Sequence, residues 1–235
     1  MLILYSSAKK LYACLETLNS TDLPLPWQIC LEETWKACCA GSIPIGAVVT
    51  NSDGTIIGRG RSHRYDSDSP PGHIKDHKLA HAELNALLDV RLPDKDLKNC
   101  ELFTAVEPCP LCISAIYMAS LKSYHYASRD PYAGSSNLLK TTPYLSRKPV
   151  QSNGPQWTEL ENVLMALQVD FFLRRGESPD YVVLTTWRNV LPEGFAYGKA
   201  LFQDKVITNL CISGKSSAAV FDQLFTGFRE LNPQA

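Results

Sequence analysis

Charge of either sign in excess is missing from this chain of 235 residues, in which 23 Lys and Arg stand against 24 Asp and Glu for a formal net charge of −1. Surfaces built to grip a phosphate backbone carry a basic excess. The balance therefore favours a small-molecule substrate over a folded nucleic acid. Long apolar runs are missing too: no window reaches about 18 uninterrupted apolar residues, so no membrane-spanning helix is expected. The opening residues, MLILYSSAKK, lack the charged start and apolar core of a secretory signal, which predicts a cytoplasmic chain. In that reducing setting Cys14, Cys30, Cys38, Cys39, Cys100, Cys109, Cys112 and Cys211 do not read as a disulfide framework, and most are expected as small buried hydrophobes. Disorder is excluded by composition, with 45% apolar and 20% charged residues, enough to build a sizeable core.

What is present reads as alternating helices and strands. Residues 1–20 carry Leu4, Ala8, Leu11, Leu15 and Leu18 at near-helical spacing, and Pro24 and Pro26 end that segment. A second helix is predicted over 27–40, capped by Gly41. Two β-branched runs around Asn51-Ser-Asp-Gly54 predict a hairpin over 43–60. Residues 61–79 read as a long polar loop. A helix over 79–90, a strand over 99–106, a helix from Pro108 to about 121 and a strand over 124–128 follow. Residues 131–156 read as loop. Helix 157–175 is closed by Gly176, where a soft boundary is placed. Beyond it, 181–187 is expected as a strand and 217–231 as an amphipathic helix.

Two segments carry the chemistry. His81-Ala-Glu83 is followed 28 residues downstream by Glu107-Pro-Cys109-Pro-Leu-Cys112. His81, Cys109 and Cys112 supply one imidazole and two sulfurs. Three protein ligands leave a fourth tetrahedral position open, the layout of a catalytic zinc rather than a structural one. The two-residue gap between the cysteines places both sulfurs on one side of a helical first turn, whose free N–H groups and dipole favour thiolates. Glu83 is placed to take a proton from water and pass it to a ring nitrogen and a departing amine. Redox or structural-zinc readings of the Cys-x-x-Cys are set aside by the upstream His-x-Glu.

The paired segments form the H-x-E…P-C-x-x-C signature of zinc deaminases. About two thirds of the chain resembles the cytidine/deoxycytidylate deaminase superfamily, in the branch of bacterial guanine deaminase and tRNA adenosine deaminase. The residues that carry the likeness are Pro44-Ile-Gly-Ala-Val-Val49, Ile57-Gly-Arg-Gly60, His81-Ala-Glu-Leu-Asn-Ala-Leu87, Leu102-Phe-Thr-Ala-Val-Glu-Pro-Cys-Pro-Leu-Cys112 and Ile116-Tyr-Met-Ala119. The resemblance implies a three-layer α/β/α fold with a central mixed sheet over residues 26–176. An N-terminal helical extension (1–25) and a C-terminal extension of mixed strand and helix (177–235) flank it. It further implies one zinc ion per chain, a homodimer, and hydrolytic deamination of a nucleobase or nucleoside. An aminopurine such as guanine is favoured and a cytosine-type base is the other option; both release ammonia.

Ser62, Asn85, Ala82 and Pro108 are the expected substrate-binding residues. Ser62 departs from the family, which carries Asn there, and a hydroxyl cannot make the paired contacts of an amide. Asn85 suits either the pocket or a local cap. His73, His77 and His81 stand four apart, but Pro70, Pro71 and Gly72 favour a loop over a second metal arrangement. His63 and His125 read as surface or strand residues, and Glu107 as a packing and hydrogen-bonding group. Arg59, Arg61 and Arg64 would suit a nucleic acid, although Asp66, Asp68 and Asp76 lie close enough to balance them. Trp157, Phe171 and Phe172 read as packing residues. The alternatives are a nucleic-acid deaminase acting on tRNA adenosine or a single-stranded base, and a non-catalytic zinc-binding scaffold. Scaffold subunits usually lose the carboxylate that Glu83 retains.

Overall fold

The computed structural model describes residues 17–91 and 97–233. The helix expected over 1–20 therefore lies almost wholly outside the described residues. Helix α1 (Leu25–Cys39) starts with a proline in its first turn, where the missing N–H would be unpaired in any case. It turns Trp27, Cys30, Leu31, Trp35 and Cys38 inward. Gly41, at φ +71°, ends it in the left-handed conformation that glycine adopts most readily. Strands β1 (Gly46–Thr50) and β2 (Ile56–Arg61) form the expected hairpin, its turn closed by Asn51, whose Oδ1 accepts from the N–H of Thr55 at 2.9 Å.

Strands β3 (Glu101–Val106), β4 (Ser123–Ser128) and β5 (Gln151–Asn153) complete one sheet of order β2-β1-β3-β4-β5. The β1–β2 and β1–β3 pairs are antiparallel, and β3–β4 and β4–β5 are parallel. Strand β5 falls in the stretch expected as loop. Its Gln-Ser-Asn has no apolar alternation, and only pairing with residues 123–125 makes it a strand.

Side-chain alternation along β1 divides two apolar layers. Val48 faces a core built with α1 and α4 (Thr158–Arg174). Ala47 and Val49 face the other, built with α2 (Ala82–Asp89) and α3 (Pro110–Met118). The result is the three-layer α/β/α arrangement that the resemblance implies.

Residues beyond Gly176 form α5 (Val182–Val190), α6 (Pro192–Gln203), α7 (Val206–Ile212) and α8 (Ser217–Leu231). The strand expected over 181–187 is instead α5, and among the described residues of the C-terminal extension there is no strand. Val182, Val183, Thr185, Thr186 and Trp187 favour strands as isolated residues. However, Val183, Leu184 and Trp187 fall on one helical face and pack against Met165, Val169 and Leu173 of α4, so burial overrides propensity. Helices α6, α7 and α8 join the core on α4's side of the sheet through Tyr197, Leu201, Ile207, Phe221 and Phe225. The N–H of Ser20 donates to Asp222 of α8 at 2.7 Å, so the described start of the chain docks on its last helix. No described helix is long and apolar enough to cross a membrane.

Close approach of α2 to β2 depends on Gly60. A Cβ there would stand 2.2 Å from the backbone N of Ala86 and 2.4 Å from the carbonyl of Ala82, both backbone atoms of α2. Gly60→Ala must push α2 off the sheet. We expect a cost of about 3 kcal/mol and a fall in Tm of about 10 °C, with zinc content dropping in parallel because α2 carries His81. Thermal unfolding and metal analysis of the variant check this; unchanged values for both would refute it.

Candidate metal centre and active site

Each ligand stands at the start of a helix. His81 is the residue before α2 and Cys109 the residue before α3, with Cys112 in α3's first turn. Neither helix has a side chain capping its N-terminus, so orphan N–H groups and the positive end of each dipole collect around the three ligands. Nδ1 of His81 lies 3.5 Å from Sγ of Cys109 and 3.4 Å from Sγ of Cys112, and the two sulfurs are 3.7 Å apart. A tetrahedral zinc ion with bonds of ~2.0–2.1 Å to nitrogen and ~2.3 Å to sulfur needs edges of about 3.5 Å and about 3.8 Å. The triangle therefore fits such an ion with the side chains as they stand. Among the described residues, this is the one group whose donor atoms gather closely enough to hold a metal.

The electrostatics of the three groups are coupled. Cys112, and then His81, hold the Cys109 thiol down to about 4, against the opposing effect of burial. Pairing with Cys109, then burial, pushes Cys112 well up. Pairing with Cys109 raises His81. Glu83, one turn-residue into α2, is 4% exposed. Burial lifts its carboxyl above the usual range, opposed by the nearby His81, and its side chain reaches Cys112. A carboxyl raised in this way holds a proton more readily than an exposed one, which suits a group that accepts and returns protons.

The other expected site residues sort differently. Ala82 and Pro108 are buried beside the ligands they adjoin, and the Pro108 carbonyl accepts from the N–H of Ser135 at 3.0 Å. Ser62 is buried, its hydroxyl 3.2 Å from that of Ser42. Asn85 is fully buried and its amide is spent on the long loop. Oδ1 accepts from the N–H of Ile74 at 2.8 Å, and Nδ2 donates to the carbonyls of Arg61 and Ile74, both at 3.1 Å.

The histidines at 73, 77 and 81 share no helix, since 62–81 precedes α2 as loop. His77 accepts from the N–H of Leu79. His63, expected on the surface or a strand, is a buried loop residue whose Nδ1 lies 2.9 Å from Asp66. His125 is in β4 with Nε2 3.1 Å from Glu101. Glu107 accepts from the N–H of Ser136 at 3.2 Å, the hydrogen-bonding role expected. Arg61 pairs with Asp66 at 2.6 Å, and Arg59 lies 3.7 Å from Glu32 of α1. Trp157 stacks edge-on against Trp27, and Phe171 is buried.

Two features escaped the sequence reading. Trp187 of α5 donates Nε1–H to Asp130 at 2.9 Å. Asp130 also accepts from the N–H groups of Tyr132 and Ala133, shaping the loop that carries Ser135 and Ser136 to Pro108 and Glu107. A C-terminal helix thus supports the metal-ligand segment, and nothing local in the sequence signals the pairing. His73 is the second: it stands in the loop that Pro70, Pro71 and Gly72 predict, with its side chain only 5% exposed.

Asn85→Ala removes three buried hydrogen bonds and strands backbone groups of the loop. The expected loss is about 2–3 kcal/mol, read as a lower Tm and faster amide exchange across 61–80. A raised KM with unchanged Tm would instead return Asn85 to substrate binding.

Residues 25–128 match the cytidine and deoxycytidylate deaminase zinc-binding region. The chain is 31% identical over 113 residues to a cytosine deaminase of Candida albicans, covering 48% of this chain and 70% of that one. It is 32% identical over 154 residues to a tRNA-specific adenosine deaminase of Streptococcus pyogenes, covering 63% and 88%. It is 38% identical over 95 residues to a guanine deaminase of Bacillus subtilis, covering 40% and 55%. Some other matched proteins are much longer, and the chain spans 26% and 23% of two of them. With the ligand triangle, the buried Glu83 and a relative aligned over most of its length, the chain belongs to the zinc-binding cytidine and deoxycytidylate deaminase family.

Proposed function

We propose that the chain is a hydrolytic deaminase of a free nucleobase or nucleoside, with an aminopurine such as guanine as the leading substrate. The observation that carries this reading is the triangle of His81, Cys109 and Cys112 with the buried, proton-competent Glu83 beside it. Zinc held by the three ligands supplies the Lewis acidity that makes water nucleophilic at neutral pH. The protein's own part is proton handling and exclusion of solvent. Glu83 takes a proton from the attacking water as the C–O bond forms and passes it to the ring nitrogen next to the amine-bearing carbon. It then takes the second proton from the new hydroxyl and delivers it to the amine, so that the C–N bond breaks, a carbonyl forms and ammonia leaves. Its buried setting keeps the carboxyl from being held by bulk water between these transfers. Ala82 and Pro108, rigid and adjacent to the ligands, are the surfaces against which a flat base would rest, and Ser62 lies at the family's base-holding position.

The preference for a small substrate rests on charge. Arg61 is paired with Asp66, and Arg59 stands against Glu32, so two of the three arginines have carboxylates beside them, while Arg64 lies 5.4 Å from the Tyr65 ring centroid and its charge acts on His81. The favoured purine follows the likeness to the Bacillus subtilis guanine deaminase. A second reading, deamination of a base within tRNA, draws on the Streptococcus pyogenes relative, 88% of whose length is matched. Salt-dependent binding of tRNA by the purified chain would favour it.

Ammonia release from a panel of bases, nucleosides and nucleotides tests the proposal, with guanine and other aminopurines expected at the top. Silence across the panel from protein holding one zinc per chain would overturn it. Glu83→Gln should keep its zinc and lose about 10²–10⁴-fold in kcat. Chelation should abolish activity, and zinc should restore it.

A further inference from the structure

A second group of sulfurs lies away from the metal centre. Cys39 is the last residue of α1 and is exposed. Cys211, 172 positions later, lies in α7 and is half-buried. Their Sγ atoms are 2.7 Å apart, against ~2.05 Å for a covalent disulfide. Cys38, 1% exposed, lies beneath, and the Arg174 guanidinium, held by Asp170 at 2.6 Å, reaches its sulfur at 3.8 Å. Only the triangle of His81, Cys109 and Cys112 gathers three donors as a metal needs among the described residues, so this trio is not explained as a further metal site.

We propose that Cys39 and Cys211 are a peroxide-responsive thiol pair whose reversible disulfide clamps the C-terminal helical segment to the first helix of the family domain. Two elements distant in sequence already hold the sulfurs in contact, so the bond needs little backbone movement. Cys211 is half-buried rather than enclosed, so an oxidant can reach its sulfur, and exposed Cys39 stands against it as the resolving thiol. Cys211 meets both Cys38 and Cys39, which hold its thiol down, with the Arg174 guanidinium reaching the same sulfur cluster, and on that placement Cys211 is assigned the role of nucleophile.

A lone pair of the Cys211 thiolate attacks the terminal oxygen of a hydroperoxide. The O–O bond breaks, the alkoxide leaves and takes up a proton as an alcohol, and Cys211 becomes a sulfenic acid. Cys39, giving its proton to water, then attacks the Cys211 sulfur. The S–S bond forms, the S–O bond breaks, and hydroxide leaves and is protonated to water. Two thiols and one hydroperoxide yield one disulfide, one alcohol and one water. Each sulfur loses one electron and the peroxide gains two. A small dithiol reverses the bond by attack on the exposed Cys39 sulfur, ending as its own disulfide.

The zinc-loaded full chain, treated with one equivalent of hydrogen peroxide, alkylated and digested without reductant, tests the proposal. A Cys39–Cys211 peptide pair is expected in most molecules and should disappear with dithiothreitol. Zinc should stay at one per chain, and Tm should rise by about 5 °C as the denatured chain is constrained. Cys39→Ser, at an exposed position, and Cys211→Ser should each abolish both the link and the Tm rise while keeping zinc. The proposal is overturned if Cys39 and Cys211 return unlinked, whether alkylated or over-oxidised. It is equally overturned if either links to Cys14, to Cys38 or to a second chain, or if peroxide consumes Cys109 and Cys112 first.

Discussion

Everything chemical in this protein depends on two helix starts meeting at one end of a sheet. The imidazole precedes α2 and one thiol precedes α3, while the other thiol lies in α3's first turn. A metal ligand needs to be deprotonated, and uncapped N-termini make deprotonated sulfur cheaper. Holding the His81 imidazole 3.4–3.5 Å from the two sulfurs of the other start is the work of the layer beneath them, where Ala82 and Ala86 of α2 and Ile113 and Ile116 of α3 share one apolar cluster with Ala47, Val49 and Leu102 of the sheet. The small residues let α2 lie close to β2, and the metal triangle inherits its dimensions from that packing.

The long loop between β2 and α2 is fastened rather than loose. Asn85 holds it at Arg61 and Ile74, the N–H of His63 donates to Ala80 at 3.1 Å, and the N–H of Asp76 donates to the carbonyl of His63 at 2.9 Å. Charged side chains in and around it are paired internally, as in Arg61 with Asp66. A loop ordered this way presents a defined wall beside Ser62.

The C-terminal helices are structural partners of the site, not a tail. They pack on the same α4 that backs the sheet, and Trp187 reaches Asp130 in the loop that carries Ser136 to Glu107. Disturbance of α5 therefore has a short physical route to the residue preceding Pro108 and Cys109. The sulfurs of Cys39 and Cys211 sit at another seam of the same packing, between α1 and α7.

The three residues of the candidate metal triangle, the buried carboxyl beside it and most elements were legible in the residues themselves. Their evidence is local: His81 and Glu83 two apart, Cys109 and Cys112 three apart, Asn51-Ser-Asp-Gly54 as a turn, and apolar spacing along α1, α4 and α8 each follow from a few neighbouring positions. Tertiary structure alone decided the helix over 182–190, where β-branched residues gave way to burial against α4, and the strand over 151–153, which exists only through its pairing with β4. It also decided that Asn85 serves the loop, that His63 is buried with Asp66, and that Cys39 meets Cys211. The physical reason is the same in each case. Propensity and spacing act over a few residues, whereas burial, sheet pairing and contacts between residues up to 172 positions apart are settled only when the whole chain packs.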